Sequence, residues 1–419
     1  MPERRASPAR LLAASGAVIG PGLLVAATGV GAGDLATAAF TGHALGTAVL
    51  WAVLAGAAIK FVLNEGLARW QLATGETLLE GAMSRLPRPL RFAFLAYFLV
   101  WSFLVAAALL SACGATAHAL VPLTGDARSD KVLFGVLHGA AGVVLVRLGG
   151  YRLVERVMGG AIALMFGTVV ITAIRVAPDW PAVLSGLLVP RIPDLPGGPG
   201  WTAALMGGVG GTLTVLCYGY WIREEGRDGP GHLRTCRIDL AVAYAVTALF
   251  GVAMVIVGDT IEVSGGGAGL VVALGERLEE TLGPAARWTF LAGAWGAVAS
   301  SLLGVWQSVP YLFADLWGLL GQRTDAGRGA IDTAGRPYRT FLYLLATVPI
   351  AGLVQGFATM QRLYAVVGAA FMPLLALALL ALAGSAGRIG PEHRNRTVTN
   401  VVLGAICVFF CVLFWRVLT

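Results

Sequence analysis

The stretch Gly29-Val30-Gly31-Ala32-Gly33-Asp34 interrupts an otherwise apolar run from Leu11 to Phe40. Three glycines weaken a helix at this point, and a carboxylate follows them at a depth where lipid offers no hydrogen bonds. Backbone that leaves a helix there has to face protein or a water-filled cavity. An acid at that depth is costly and marks a functional site. The stretch therefore predicts a broken membrane helix whose acid binds a cation near the middle of a bilayer.

The composition indicates an integral membrane protein. Of 419 residues, 57% are hydrophobic and 13% are charged, and the mean hydropathy is +0.77. Apolar runs long enough to cross a membrane recur along the chain. We therefore predict an all-α integral membrane fold with eleven transmembrane helices. The predicted spans cover roughly residues 12–40, 46–68, 92–121, 131–147, 151–176, 200–221, 238–258, 286–319, 339–354, 361–384 and 397–418.

The positions of the basic residues predict the orientation of the chain. The formal net charge is +7, and most of the 30 Lys and Arg residues fall in connections on one side of the predicted spans. This is the positive-inside pattern of a multi-pass protein of the plasma (cytoplasmic) membrane. With eleven spans, it predicts an N-terminus inside and a C-terminus outside. The basic excess thus orients the chain in its lipid bilayer, and no nucleic-acid partner is predicted.

A second glycine-rich segment indicates an internal repeat. Gly207-Gly208-Val209-Gly210-Gly211-Thr212 lies in the predicted sixth span, so each glycine segment opens a set of five spans. An odd number of spans per repeat places the two sets in opposite orientations, and paired interrupted helices point to a transporter's binding site. We predict one transmembrane domain over 1–419, with repeats at 1–176 and 177–384 and an appended eleventh helix at 385–419. The expected helix breaks are at Gly29, Gly31 and Gly33 in the first helix, and at Gly208, Gly210 and Gly211 in the sixth.

Several motifs resemble those of the Nramp family of proton-coupled divalent metal transporters. They are Gly20-Pro21-Gly22-Leu23-Leu24-Val25, Gly33-Asp34-Leu35-Ala36-Thr37, Gly149-Gly150-Tyr151-Arg152, Val183-Leu184-Ser185-Gly186-Leu187 and Arg237-Ile238-Asp239. The resemblance covers almost the whole chain. It implies the 5+5 inverted-repeat fold typified by the bacterial leucine transporter, and inward movement of a divalent metal ion.

The metal-binding motifs of that family are altered in this chain. The family's Asp-Pro-Gly-Asn aligns with Gly31-Ala32-Gly33-Asp34, so an acid stands at the Asn position. Its Met-Pro-His-Asn aligns with Thr214-Val215-Leu216-Cys217, so a hydroxyl replaces the thioether. The predicted third span contains no acid, whereas family members carry carboxylates implicated in proton transfer there. We therefore expect metal transport with a different ion preference and do not predict proton coupling.

Asp34 is the predicted anionic ligand, with oxygen donors around it. The expected metal ligands are Asp34, Gly31 and Thr214, and the wider substrate site adds Thr37, Thr212, Cys217 and Tyr218. An oxygen-rich site without Met or His suits Mg²⁺ or Mn²⁺ better than softer metals. The ion is the transported substrate, so no cofactor is predicted. No nucleophile–base pair or nucleotide motif predicts an enzyme, and the sequence is compatible with a monomer.

Two alternatives remain open from the sequence. Asp34 could instead cap the outer half-helix through the amides of Ala36 or Thr37. The free half-helix amides could then hold a small organic or zwitterionic solute. A membrane receptor that kept the fold and lost transport is the other alternative.

Lys60 is the one basic residue within a predicted span. It lies near the expected inner end of the second span, one helical turn from Asn64. Glu65 and Arg69 are four residues apart, which predicts a structural ion pair on that helix. His118 and His138 lie in spans, and we expect both to be hydrogen-bonded packing residues.

Overall fold

The structure is a computed structural model that describes residues 30–148, 151–176, 179–262, 269–321 and 332–418. Within these ranges the chain forms helices joined by turns and short loops, with no strand. The apolar composition explains this outcome, because a helix satisfies its own backbone hydrogen bonds without help from water.

The first half of the described chain begins with a π-helical segment, Val30–Thr37, that continues directly into helix α1, Ala38–Leu45. The helices that follow are α2 (Leu50–Thr74), α3 (Leu78–Arg85), α4 (Arg88–Leu120), α5 (Ala127–Leu148), α6 (Tyr151–Arg175) and α7 (Trp180–Leu188). The second half contains α8 (Gly198–Gly208), α9 (Cys217–Glu224), α10 (Leu233–Asp259), α11 (Leu270–Leu282), α12 (Pro284–Leu320), α13 (Arg336–Thr347), α14 (Phe357–Ala369), α15 (Phe371–Ala383), α16 (Ala386–Ile389) and α17 (Thr397–Leu418).

The helices that could cross a membrane lie at the positions of the predicted spans. In the described part of the chain, nine helices are long and apolar enough to cross a membrane, or ten if a pair bent by 116° counts as one span. One of the nine, Gly33–Thr74, holds both the end of the first predicted span and the second predicted span. Most of the predicted span 12–40 lies outside the described residues.

Several predicted boundaries change in the structure. The second span was expected to end at 68, but α2 continues to Thr74 and ends at Gly75, which has a left-handed backbone. The tenth span, expected at 361–384, consists of α14 and α15 joined at Ala370. The sequence analysis did not anticipate the short helices α3, α7 and α11 in the connections. For α3 the physical reason is a capping box, in which Thr77 and Glu80 satisfy each other's backbone amides.

The sixth span lies at the centre of the bundle. Within its most apolar window, 94% of the residues of Gly198–Glu224 are buried, against 22% for Ala127–Leu148 and for Thr397–Val417. Helices that are apolar all round and poorly buried by protein are suited to a lipid environment. The fourth and eleventh predicted spans are therefore peripheral, and the sixth span is enclosed by its neighbours.

The sixth span is broken in its middle, as predicted. Helix α8 ends at Gly208, a 3₁₀ turn occupies Leu213–Leu216, and α9 begins at Cys217. Between them Gly210 and Gly211 have φ values of +75° and +84°, a left-handed backbone that glycine adopts without a steric penalty. This local geometry explains why two consecutive glycines stand at the break.

The first span meets the sixth span backbone to backbone. Gly31 and Gly33 lie in the π-helical segment, which continues into α1 without a non-helical residue. The breaks predicted at these two glycines are therefore not seen, because a π-helix keeps its backbone groups hydrogen-bonded while it widens the turn. Gly29 lies outside the described residues. A Cβ atom added to Gly33 would lie 2.1 Å from the carbonyl oxygen of Gly208. Glycine at position 33 thus permits an approach of two main chains that any side chain would prevent, and this approach positions Asp34.

We predict that Gly33→Ala lowers the thermal unfolding midpoint of the purified protein in detergent. The added methyl group would meet backbone, which cannot rotate away as a side chain can, and overpacking of this kind costs roughly 1–3 kcal/mol. The matched control is Gly404→Ala in α17, where an added Cβ meets no atom within 4 Å. Equal midpoints for the two variants would contradict this interpretation of the contact.

Candidate ion-binding site

Asp34 is fully buried where the first and sixth spans meet. Its Oδ1 atom accepts a 2.6 Å hydrogen bond from the backbone amide of Gly210 in the sixth-span break. Its Oδ2 atom is buried and has no hydrogen-bond partner among the described residues. The carboxylate therefore bonds to the sixth span, no bond from the amide of Ala36 or Thr37 to it is seen among the described residues, and one of its oxygens has no hydrogen-bond partner there.

The carbonyl groups at the end of α8 are engaged by Lys60. The Lys60 ammonium donates a 2.8 Å hydrogen bond to the carbonyl oxygen of Gly207 and a second bond to that of Val209. Val209, which Lys60 binds, is followed in the chain by Gly210, which binds Asp34. A buried cation and a buried anion thus share the point at which the sixth span is broken.

Sequence reasoning did not assign this role to Lys60. It placed Lys60 near the inner end of the second span, whereas α2 extends to Thr74 and Lys60 lies near its middle. The available signal was the lone basic residue within a predicted span. The sequence could not show that Lys60 contacts the end of α8, because these hydrogen bonds join residues almost 150 positions apart.

The predicted threonines lie in the π-helical segment of the first span and in or beside the break of the sixth span. Thr37 is buried, and its side chain lies next to Gly208. Thr212 is buried within the sixth-span break, where its Oγ1 accepts a 2.8 Å hydrogen bond from the indole of Trp101. Thr214 is buried in the 3₁₀ turn that follows. The three hydroxyls therefore belong to the same two segments as Asp34.

Tyr218 has other partners, which changes its predicted role. Its buried hydroxyl bonds to the carboxylate of Asp239 at 3.2 Å and to the carbonyl of Cys236 at 3.4 Å. Asp239 in turn forms a buried ion pair with Arg227 at 3.1 Å. This network ties α9 to the beginning of α10 and gives Tyr218 a structural role, while its place in the wider substrate site stays a prediction.

Cys217 lines a cavity. The cavity has a volume of about 400 Å³ and opens on the side where α5 and α9 end and α13 begins. Its lining residues are Val146, Arg147, Cys217, Tyr220, Trp221, Glu224, Gln307, Ser308, Tyr311, Thr333, Ala334 and Tyr338. The cavity reaches Cys217, which follows the 3₁₀ turn that contains Thr214, so it extends from one side of the bundle towards the break.

Three further titratable side chains in the described spans, Glu65, His138 and His118, have structural partners. Glu65 pairs with Arg69 at 3.2 Å, as predicted, and also with Arg237 at 2.7 Å, which joins α2 to α10. His138 donates from Nδ1 to the carbonyl of Phe134 and accepts from the indole of Trp295. His118 bonds to Asp130. These contacts agree with the packing roles expected for the two histidines.

The donor set around Asp34 determines which metals it suits. In the described part of the chain, no group of three or more His, Cys, Asp or Glu side chains lies close enough to hold a metal ion. An ion at Asp34 would depend on one carboxylate together with backbone carbonyls, hydroxyls and water. Such a set matches hard cations that keep part of their hydration shell.

Comparison with known proteins identifies relatives that are described as metal transporters. The family described as natural resistance-associated macrophage protein-like (Nramp) matches residues 22–419. The divalent metal cation transporter MntH of Chromohalobacter salexigens is 28% identical over 257 residues, which cover 57% of this chain and 55% of that protein. MntH of Aeromonas hydrophila is 25% identical over 253 residues, covering 57% and 58%. The match thus spans little more than half the length of these relatives.

Solved structures show the same fold. A manganese transporter of Eremococcus coleocola superimposes with a TM-score of 0.71 and 16% identity, covering 98% of this chain and 87% of that one. MhsT, solved with L-phenylalanine, superimposes with a TM-score of 0.58 and 13% identity, covering 95% and 97%. The predicted helical architecture of the leucine-transporter type is therefore confirmed. With a family match over residues 22–419 and this fold, the chain belongs to the Nramp family.

Proposed function

We propose that this protein carries a divalent metal cation across the membrane, with Asp34 as the anionic ligand. The observation that supports this most directly is the buried Oδ2 atom of Asp34, which lacks a hydrogen-bond partner in the described residues. A buried charged oxygen without a partner costs free energy, and a bound cation would supply the missing interaction. Relatives described as divalent metal cation transporters are consistent with this assignment.

The proposed ion is Mg²⁺ or Mn²⁺ in preference to softer metals. The proposed ligands are the carboxylate of Asp34, the carbonyl of Gly31 and the hydroxyl of Thr214, with Thr37 and Thr212 close by in the same two segments. These are oxygen donors, which hard cations prefer, and a single carboxylate is enough when water completes the coordination shell. Softer ions are better served by thioether or thiolate ligands.

We propose alternating access between two inverted repeats, 1–176 and 177–384, with 385–419 as the appended helix. The buried position of Asp34 and the cavity that approaches the break from one side support an arrangement in which only one route is open at a time. The arginine-rich connections suggest that this side is cytoplasmic, with the N-terminus inside and the C-terminus outside. Proton coupling is not part of the proposal.

A small zwitterionic solute is the second candidate. Asp34 and Lys60 place opposite charges at the same break, an arrangement that also suits a molecule with one positive and one negative group. Inhibition of flux by amino acids or organic acids, combined with indifference to metals, would favour this candidate. Binding without flux would favour a receptor-like relative.

We predict that Asp34→Asn reduces Mn²⁺ or Mg²⁺ uptake into proteoliposomes at least ~10-fold, because an interaction with a charged group is worth roughly 1.5–3 kcal/mol. Initial rates over a range of ion concentrations measure the effect. The matched control is Asp315→Asn. Asp315 is also buried: its Oδ2 accepts a hydrogen bond from Tyr220, and its Oδ1 has no hydrogen-bond partner in the described residues. Normal uptake by Asp34→Asn, or no ion-dependent uptake by the unaltered protein, would refute the assignment.

We predict that Thr214→Met makes the protein sensitive to Cd²⁺. A thioether at this buried position would add a soft ligand, so Cd²⁺ should inhibit Mn²⁺ uptake at concentrations about ten-fold lower than in the unaltered protein, equivalent to about 1.4 kcal/mol. Thr172→Met, at a buried position of α6, controls for the added volume. The same Cd²⁺ sensitivity in both variants would remove Thr214 from the ligand set.

A further inference from the structure

Lys60 brings a buried ammonium group to the carbonyl oxygens at the break in the sixth span. Its side chain is 1% exposed, and its ammonium bonds to the carbonyl oxygens of Gly207 and Val209. These carbonyls stand at the end of α8, where helical hydrogen bonding stops. The last carbonyls of a helix lack helical partners and carry partial negative charge, so they attract cations.

The packing of α2 against α8 positions the ammonium. Gly56 lies one helical turn before Lys60, and a Cβ atom at Gly56 would lie 3.1 Å from the carbonyl oxygen of Met206. The absence of a side chain at Gly56 lets α2 lie directly against the end of α8. Residues four apart share a face of a helix, so this contact directs Lys60 towards the break.

The two buried charges compensate each other across the break. The ammonium of Lys60 binds the carbonyl of Val209, and the amide of the next residue, Gly210, binds Oδ1 of Asp34. With both groups ionised, the centre carries no net charge. A divalent ion that entered without moving the ammonium would meet an existing positive charge in a poorly screened environment.

We propose that Lys60 is a tethered cation that determines the ion specificity of the site. When no ion is bound, its ammonium binds the carbonyl oxygens of Gly207 and Val209. A divalent ion binds at Asp34 only after the ammonium has left these two carbonyls. This inference rests on the proposed function for the transported ion. The occupancy of the carbonyls by a cation can be tested without transport.

The first experiment tests that occupancy by chemical rescue. Lys60→Ala should lower the thermal unfolding midpoint in detergent, and added methylammonium should raise it again by at least about 3 °C, because a ligand that binds only the folded state stabilises it. The unaltered protein should not respond. The matched control is Lys131→Ala, since Lys131 is also 1% exposed and donates to a single carbonyl, that of Gln355, at 2.7 Å. Absence of rescue in folded Lys60→Ala, or equal rescue in Lys131→Ala, would overturn the inference.

A second variant covers the case in which Lys60→Ala does not fold. Lys60→Gln keeps an N–H donor for the carbonyls but removes the charge. In proteoliposomes, Lys60→Gln should bind Mn²⁺ about ten-fold more tightly than the unaltered protein, judged from the ion concentration at half-maximal uptake. An unchanged or weaker response in this variant would overturn the inference while the proposed function stood. If neither the unaltered protein nor Lys60→Gln takes up metal, the proposed function fails. Methylammonium rescue of Lys60→Ala still decides whether the carbonyls of Gly207 and Val209 bind a cation.

Discussion

The candidate site depends on an approach of two main chains near the middle of the bundle. Gly33 lies so close to the carbonyl of Gly208 that no side chain fits between them. The same approach brings the carboxylate of Asp34 to the amide of Gly210. The interruption of the sixth span supplies that amide, because inside an intact helix it would bond to a carbonyl of its own helix. Close packing and a broken helix are thus two parts of one arrangement.

Charge compensation is the second constraint on the centre. Burial of an isolated ammonium or carboxylate is very costly, and the cost falls when hydrogen bonds and an opposite charge are available. Lys60 donates hydrogen bonds to two carbonyls, whereas Asp34 accepts one hydrogen bond from an amide. Each group also has the opposite charge of the other at the same break. The carboxylate is the less well satisfied of the two. This asymmetry is why we place the guest ion at Asp34 and regard Lys60 as its competitor.

Much of the fold could be predicted because membrane helices have simple sequence signals. Apolar length located most spans, and the glycines at positions 210 and 211 located the break in the sixth span because their left-handed backbone excludes most other residues. The connections were less predictable, since α3 depends on a reciprocal cap between Thr77 and Glu80 that a scan for apolar runs does not register. The buried acid was predicted from its cost in lipid, which is a property of the residue and its depth alone.

The partners of the site residues could not be predicted in the same way. The sequence by itself determined a helical membrane protein, a glycine-rich break in the sixth span and a single acid in the glycine-rich segment of the first span, because these features depend on local composition and bilayer thickness. Only the tertiary structure decided that Asp34 binds the sixth span, that Tyr218 turns to Asp239, and that Lys60 enters the break. Each of these contacts joins different helices. Helix packing selects among many pairings that the same apolar surfaces allow, so contacts of this kind follow from the assembled bundle and cannot be read from residue order.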